Sequence, residues 1–594
     1  MMKRKTDMNR ILCAAGLLGL LSACNPAPKY VRPAAPSPVA YKESAPQQFK
    51  EGAGWKVAQP GDDKIRAKWW ELYNDPKLNA LEEQVATGNQ SLAASEANFR
   101  AARSLVVSAR SALFPTISTA PGYSNARFSS TARGSSFVVG GSSSTTTGGT
   151  GTTGTGTNTT TGTGNTGNTG TGTTTTGTTS STGVAGGSNS GVINQFTFPI
   201  DVSYTIDFWH RIRNTISANA LSAQANAADV ATSLLTLQAE LAQDYFQIRS
   251  VDMQEAILQD TLRNYRNTLD LTLALYKTGI DSEEDVSQAQ TQLNTATAQA
   301  TDLGVARAQY EHAIATLIGR PAAEFSIPVA AFVPNPPVVP VALPSTLLER
   351  RPDIAAAERQ VASANAQIGV ARAAYYPNVP LSASAGFETS TFTQWFTWPS
   401  RFWSLGPTLS QTILDGGARR AQNEQAQANY DAAVANYRQT VLTAFQAVED
   451  NLASLRILSK EVGEQQTAIE SSAHYLDLAL TRYKTGVDSY LNVITAQNTV
   501  LTNRETQVQA QLRAMTASVS LIMALGGGWD PSQLPSMKLL LEKQRNWKPG
   551  GVPLQQAPSE TAPANPPVVE PAPLNLPPYT LPSLSPASNV PSQR

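Results

Sequence analysis

The chain has 594 residues, with 45 Lys and Arg against 45 Asp and Glu, so its formal net charge is zero. That balance argues against a nucleic-acid binder, which carries a basic surplus. Charged residues make up only 15 %, yet no apolar run reaches the ~18 residues of a spanning helix. A polytopic helical membrane protein is therefore excluded. A β-barrel is not, because its strands give only short alternating signals. Both cysteines, Cys13 and Cys24, lie in the first 24 residues, so no disulfide framework holds the body.

Lys3, Arg4, Lys5 and Arg10 precede an apolar stretch, Ile11 to Leu21, too short for a stop-transfer helix. Leu21-Ser22-Ala23-Cys24 then resembles the bacterial lipobox. By that resemblance residues 1–23 are a lipoprotein signal peptide and the Cys24 sulfur takes a diacylglycerol. The new amino terminus is acylated as well. Each buried CH₂ contributes roughly 0.8 kcal/mol, so three chains anchor stably. Asn25, after the cysteine, favours the outer membrane by the same rule. Covalent lipid on Cys24 is the one group expected; no other cofactor is. Residues 24–75 are expected to form an acylated, extended segment.

The rest of the chain is written twice. Tyr276-Lys277-Thr278-Gly279-Ile280-Asp281-Ser282 recurs as Tyr483-Lys484-Thr485-Gly486-Val487-Asp488-Ser489, at an offset of 207. Gly319 maps on Gly526 at the same offset. Upstream, Ala109-Arg110 and Pro115 match Ala371-Arg372 and Pro377 at an offset of 262, and Asp207 matches Asp415 at 208. The change of offset reflects an insertion in the first copy, the Gly/Thr/Ser-rich tract at 129–191. The first repeat is assigned to 76–321 and the second to 345–529, with a Pro-rich linker at 322–344.

Each copy reads as helix, two strands, very long helix, turn, helix. In the first these are Leu78–Leu113, strands near Thr116–Arg127 and Asn194–Asp207, then Asn214–Tyr276 and Ser282–Ile318. In the second they are Ile354–Ala374, strands near Val379–Glu388 and Trp403–Ser410, then Arg419–Tyr483 and Tyr490–Leu525. A helix of about 63 residues extends roughly 95 Å. Val434, Val441, Val448, Leu455, Val462, Ile469, Leu476 and Tyr483 keep a spacing of seven, which argues for coiled-coil packing. The first-copy series, Leu234 to Tyr276, is broken by Glu255.

The strands alternate. Phe196, Phe198, Ile200, Val202 and Tyr204 oppose Thr197, Pro199, Asp201, Ser203 and Thr205. Lengths near 10 residues with one apolar face fit a transmembrane barrel. Trp395, Phe396, Trp398 and Trp403 suit an aromatic girdle. Four strands cannot close, and open edges are not tolerated in lipid. Several chains must therefore pool strands; three give about 12.

Trp69-Trp70, Asp75-Pro76, the run Leu347 to Ile354 (LLERRPDI), the two Tyr-Lys-Thr-Gly turns, Leu317-Ile318-Gly319-Arg320-Pro321 and Ala524-Leu525-Gly526-Gly527 resemble the TolC/OprM-like outer-membrane factors of tripartite efflux pumps. The likeness runs from about Tyr30 to Trp529. It implies a mainly α protein with a transmembrane β part, forming a homotrimeric α/β-barrel. Each chain supplies four strands and long coiled-coil helices, and the helical part lies in the periplasm. It further implies a passive export duct and no enzyme. The implied partners are outer-membrane lipid, a periplasmic adaptor (a membrane fusion protein) and an inner-membrane RND transporter.

The resemblance also places function on residues. The adaptor docks at the helical tips, on Tyr276, Lys277, Gly279, Lys484 and Gly486. The periplasmic gate falls at Leu491 and Thr495, beside Tyr483 and Asp488. Thr495 departs from the acidic residue that relatives often carry there. The first turn offers Asp281, Glu283, Glu284 and Asp285 instead, which could supply a negative field at the tip. Acids at a helix start are stabilised anyway, so that reading stays open.

Catalytic constellations are missing. His210, His312 and His474 are the only histidines and have no metal-ligand spacing. Gly162 to Gly167 matches a dinucleotide fingerprint but sits in low-complexity sequence without flanking elements. Residues 530–594 form a Pro-rich tail expected to be extended and disordered. Two alternatives remain: a duct for metal-ion efflux or type I secretion, or a pore-less periplasmic coiled-coil lipoprotein.

Overall fold

Helix starts follow local chemistry throughout. Pro76 opens α1 (Pro76–Gly88), where a missing N–H costs nothing, and the Asp75 carboxylate accepts from the Lys77 and Leu78 N–H groups. The computed structural model describes residues 25–35, 38, 41–42, 68–127, 192–330, 334, 336–337 and 350–541. All of these belong to the unit Met1–Lys543. The signal peptide, Cys24, the 129–191 tract, residues 331–333, 335 and 338–344 of the linker and the tail beyond 541 lie outside the described residues.

The single helix expected over Leu78–Leu113 is two. Between α1 and α2 (Gln90–Ser111) Asn89 turns extended, with φ −71° and ψ 123°. Its side chain accepts from the Leu92 N–H, so α2 begins with its own cap. The chain then runs through α3 (Arg211–Lys277), α4 (Glu283–Leu317), α5 (Pro352–Ala373), α6 (Ala418–Lys484), α7 (Tyr490–Ala524) and the short α8 (Met537–Leu541). Helices α3 and α6 each have 67 residues, or about 100 Å. Helix α3 starts three residues before the expected Asn214. Asp207 accepts from the Ile212 and Arg213 N–H groups at 3.0 Å each, capping the earlier turn. Asp415 does the same for Arg419 at 3.2 Å.

Each half is thus one very long helix flanked by two shorter ones. Helices α2 and α4 lie along α3, and α5 and α7 lie along α6; α3 also packs on α5 and α7. The main core sits where these meet and includes Leu241, Ile248, Val441, Val448, Leu455 and Ile522. Val441, Val448 and Leu455 are heptad positions of α6, and all three are buried. A buried polar cluster ties the first half to the segment after α4. Arg249 pairs with Asp252 at 3.0 Å and donates to the Pro328 carbonyl, while Arg307 reaches Asp252 at 2.9 Å and the Ile327 carbonyl.

Five strands form one antiparallel sheet among the described residues. They are β1 (Thr116–Thr119), β2 (Gly122–Arg127), β3 (Val192–Thr205), β4 (Pro380–Thr389) and β5 (Arg401–Pro407). Strands β1 and β2 both pair with β3, followed by β4 and then β5. The one strand expected over Thr116–Arg127 is interrupted at Ala120–Pro121. Its two pieces keep one register, since Thr119 opposes Ile200 and Gly122 opposes Thr197. Pro121 and Pro199 face this gap from opposite strands and offer no N–H, so the ladder lapses without slipping.

Register places Phe198, Phe387 and Arg401 on one face, with Ile200, Ala385 and Trp403 beside them. The other face carries Asp201, Ser384 and Ser404. Trp395 and Phe396, from the β4–β5 connection, pack over Phe196, Phe198 and Phe387 on the apolar face. Trp398 stacks under the Arg401 guanidinium at 3.6 Å.

Residues 25–35 lie along α5 and α6. The Asn365 side chain donates to the Pro28 carbonyl at 3.0 Å, Tyr30 donates to Glu358 at 2.6 Å, and Arg438 donates to the Ala34 carbonyl. Asn25 meets Asn214 in the first turn of α3 at 3.2 Å.

Candidate functional site

The far ends of α3 and α6 build the tip. Each long helix stops in the same way. The Ile280 N–H returns to the Leu275 carbonyl at 3.0 Å, and the Val487 N–H to the Arg482 carbonyl at 3.0 Å. Gly279 and Gly486 make these reversals with φ of 78° and 69°, a backbone that L side chains rarely adopt. The two turns are close, with the Ile280 side chain 4.0 Å from a Cβ position at Gly486.

Chemically the two turns differ. Tyr483 is 1 % exposed, while its counterpart Tyr276 is 44 % exposed. The Tyr483 hydroxyl donates to the Asp281 carboxylate of the first turn and lies 2.8 Å from the Thr272 hydroxyl. Burial, followed by the Asp281 bond, raises the Tyr483 pKa, so the phenol stays protonated and remains a donor. The Tyr490 ring packs on Tyr483 with centroids 5.7 Å apart. Behind them lie Leu269, Ala289, Ala479, Val493 and Ala496.

Asp488, the counterpart of Asp281, stays within its own turn. The Asn492 side chain, the Ser489 N–H at 3.0 Å and Arg482 at 3.2 Å all bind it. The Asn492 bond leads in holding its carboxyl below the usual range. Asp285 is also engaged. It closes a capping box with Ser282, whose hydroxyl accepts from the Asp285 N–H at 3.2 Å and donates to its carboxylate at 2.7 Å. Of the four acids in the first turn, Glu283 and Glu284 remain as exposed side chains with no bond among the described residues.

Leu491 is 60 % exposed and projects from the first turn of α7. Thr495 stands one turn along the same face, its hydroxyl donating to the Leu491 carbonyl at 2.8 Å. Tyr276, Lys277, Gly279, Lys484 and Gly486 are all exposed at the turns. The structure therefore gathers the two turns at one end and joins them through Tyr483 and Asp281. It leaves Leu491 and Thr495 outside that bonded cluster.

Sequence reasoning missed the polar seam above the tip. Tyr265 donates to Asn498 at 3.1 Å, Gln292 donates to both, and Gln497 donates to Thr268 at 2.9 Å. Polar residues in an otherwise apolar register were the available signal. Thr272 offered none, because its neighbour Tyr483 comes from the other half.

No helix among the described residues is long and apolar enough to cross a membrane. No group of His, Cys, Asp and Glu there could hold a metal ion. The model of the outer membrane efflux protein family matches residues 168–320 and 343–527. The solvent efflux pump outer membrane protein SrpC of Pseudomonas putida is 34 % identical over 353 residues, covering 58 % of this chain and 74 % of the relative. The antibiotic efflux pump outer membrane protein ArpC of Pseudomonas putida is 26 % identical over 514 residues, covering 86 % and 94 %. Among solved structures, the outer-membrane channel OprN superposes with a TM-score of 0.68 at 26 % identity, covering 86 % of this chain and all of the other.

Proposed function

Because the chain belongs to the outer membrane efflux protein family, we propose that it is the outer-membrane duct of a tripartite pump exporting small organic molecules. Its place is the outer membrane, and its family is one of channels rather than enzymes. The observation that carries the proposal is the sheet. It has one apolar and one polar face, and β1/β2 on one side and β5 on the other end it without further partners among the described residues. In lipid such edges must be paired. Three copies would supply twelve strands, counting β1 and β2 as one, and close them into a barrel with the Asp201 and Ser384 face inside. The helices would continue the passage for about 100 Å into the periplasm.

In this reading nothing is made or broken in the duct. An inner-membrane RND transporter supplies the energy, and a periplasmic adaptor joins the two. The adaptor would dock at the exposed turns, on Tyr276, Lys277, Gly279, Lys484 and Gly486. The bond from Tyr483 to Asp281 would hold the tip closed, with Leu491 and Thr495 lining the constriction. Glu283 and Glu284 would supply the negative field there. Cys24 would carry lipid, and the position of Asn25 at the top of α3 supports an anchor beside the sheet.

The mass of the particle extracted in mild detergent from outer membranes tests this. Three chains of 63.1 kDa give about 190 kDa once detergent is discounted. A stable, folded monomer would leave the edges open and replace the duct with a pore-less periplasmic lipoprotein.

A further inference from the structure

We propose that the junction between sheet and helices is a belt that binds the anionic headgroups of phospholipids in the periplasmic leaflet. This rests on the sheet spanning the outer membrane, as argued above.

The first observation is a charge placed against the helix dipole. Helix α3 opens with Arg211-Ile212-Arg213 and α6 with Ala418-Arg419-Arg420. Backbone N–H groups make a helix start partly positive, so cations there are disfavoured in water. Both halves of the chain nevertheless put two arginines in that turn. The acids nearby are already engaged. Asp207 and Asp415 accept backbone N–H bonds as caps, and Asp415 also holds Arg419 at 2.5 Å. Arg213 meets the His210 ring at 3.0 Å rather than a carboxylate, and Arg211 has no ion pair among the described residues. Arg420 pairs with Glu424 at 2.9 Å, but both side chains are exposed, and such i,i+4 pairs are weak. Arg211 and Arg213 therefore face outward without a matched anion, and Arg420 is held only by an exposed pair. An Arg fork fits two phosphate oxygens at once.

The second observation is independent of charge. Trp209 stacks on Tyr376 with centroids 4.6 Å apart and donates from its indole N–H to the Pro377 carbonyl at 2.9 Å. Tyr375 lies beneath Arg419 at 5.6 Å, and Tyr375, Tyr376 and Phe114 are all exposed. Rings with an apolar body and a polar tip mark the water interface of a bilayer. These rings lie in the sheet–helix connections, Phe114 between α2 and β1, Trp209 between β3 and α3, and Tyr375 and Tyr376 between α5 and β4; Trp209 stands two residues before Arg211, and Tyr375 reaches Arg419. Asn25 sits in this layer too, on Asn214. Headgroup phosphates are the anions that occupy such a layer.

The test uses full-length protein reconstituted into vesicles of phosphatidylcholine with about 30 mol % phosphatidylglycerol, in about 50 mM salt. The protein is extracted in mild detergent and its retained lipid is weighed by mass spectrometry. The ratio of phosphatidylglycerol to phosphatidylcholine should rise about fivefold over the bulk ratio, to roughly 70 mol % phosphatidylglycerol, about the effect of one arginine at an anionic surface. The enrichment should fall to the bulk ratio in Arg211→Gln/Arg213→Gln/Arg420→Gln, and in high salt. A triple Arg→Lys variant should keep most of it, which separates charge from misfolding. Wild-type protein that retains the bulk ratio overturns the belt. So does a Gln variant that stays enriched, which would assign these arginines to a protein contact. Protein that does not float with the vesicles at all overturns the membrane reading itself rather than the belt alone.

Discussion

Asn89 and Arg351, 262 residues apart, make the same bond in opposite halves of the chain. The Asn89 side chain donates to the Leu317 carbonyl at the end of α4, and Arg351 donates to the Ala524 carbonyl at the end of α7, both at 2.8 Å. Leu317 and Ala524 are themselves 207 apart. The two offsets of the repeat therefore meet at one kind of joint, where two shorter helices abut beside a long one. Gly319 and Gly526 complete the joints. Both have positive φ, and a side chain at either would collide with the carbonyl opposite, that of Gly88 or of Arg350. Asn89→Ala removes a cap from α2 and a donor from α4, and should cost about 1–3 kcal/mol. Gly319→Ala adds steric overlap to backbone strain and should cost at least as much. Denaturant titration of the purified protein checks both.

Tyr483→Phe deletes the hydroxyl that joins the two turns and leaves the ring in place. A hydrogen bond to a charged group contributes about 1.5–3 kcal/mol, so the open fraction should rise by roughly ten- to a hundred-fold. Tyr276→Phe should change little, because that ring is exposed. Conductance in planar bilayers compares the two. Equal behaviour of the pair would refute the tip bond as a latch.

Glu82 gives a pH signature. It is buried in α1, both carboxylate oxygens lack a hydrogen-bond partner, and burial pushes its pKa from 4.5 up to about 9. The unfolded chain releases this proton near pH 4.5 and the folded chain near 9. The carboxyl's effect on stability is therefore most favourable below pH 4.5. It worsens by about 1.4 kcal/mol per pH unit up to about pH 9 and is constant above that. Glu82→Gln removes the titration, so the variant should gain on wild type as pH rises, by about 3 kcal/mol at pH 7. Unfolding midpoints at pH 5, 7 and 9 (spanning about that window) follow the gap. A gap independent of pH would show that Glu82 is already ionised in the fold.

Glu283→Gln/Glu284→Gln should lower cation selectivity, seen as a shift in reversal potential under a salt gradient. Asp285→Asn should instead weaken the start of α4, because its carboxylate closes the capping box. An unchanged reversal potential in the Glu pair would remove the tip acids from any role in selectivity.

Much of this molecule follows from local patterns. The seven-residue spacing in α6, the alternation in β3 and β4 and the Gly turns depend on neighbours a few residues away, so single segments carry them. The repeat was visible for the same reason, including the match of Asp207 with Asp415, whose capping of α3 and α6 only the structure revealed. Short-range context also explains the misses at Asn89 and Ala120–Pro121. There one capping side chain, or two prolines opposed across strands, interrupts a periodicity that continues on either side.

Tertiary packing decided the rest. Tyr276 and Tyr483 stand in near-identical heptapeptides, yet only one is buried, because burial depends on which helix of the other half lies alongside. Asp281 is tied to the other half and Asp488 only to its own turn for the same reason. Glu82 looks like an ordinary surface acid of an amphipathic helix, but it is fully buried in the fold, where α1 packs on α3. Periodicity specifies which face of a helix is apolar; the partner that covers that face comes from residues hundreds of positions away.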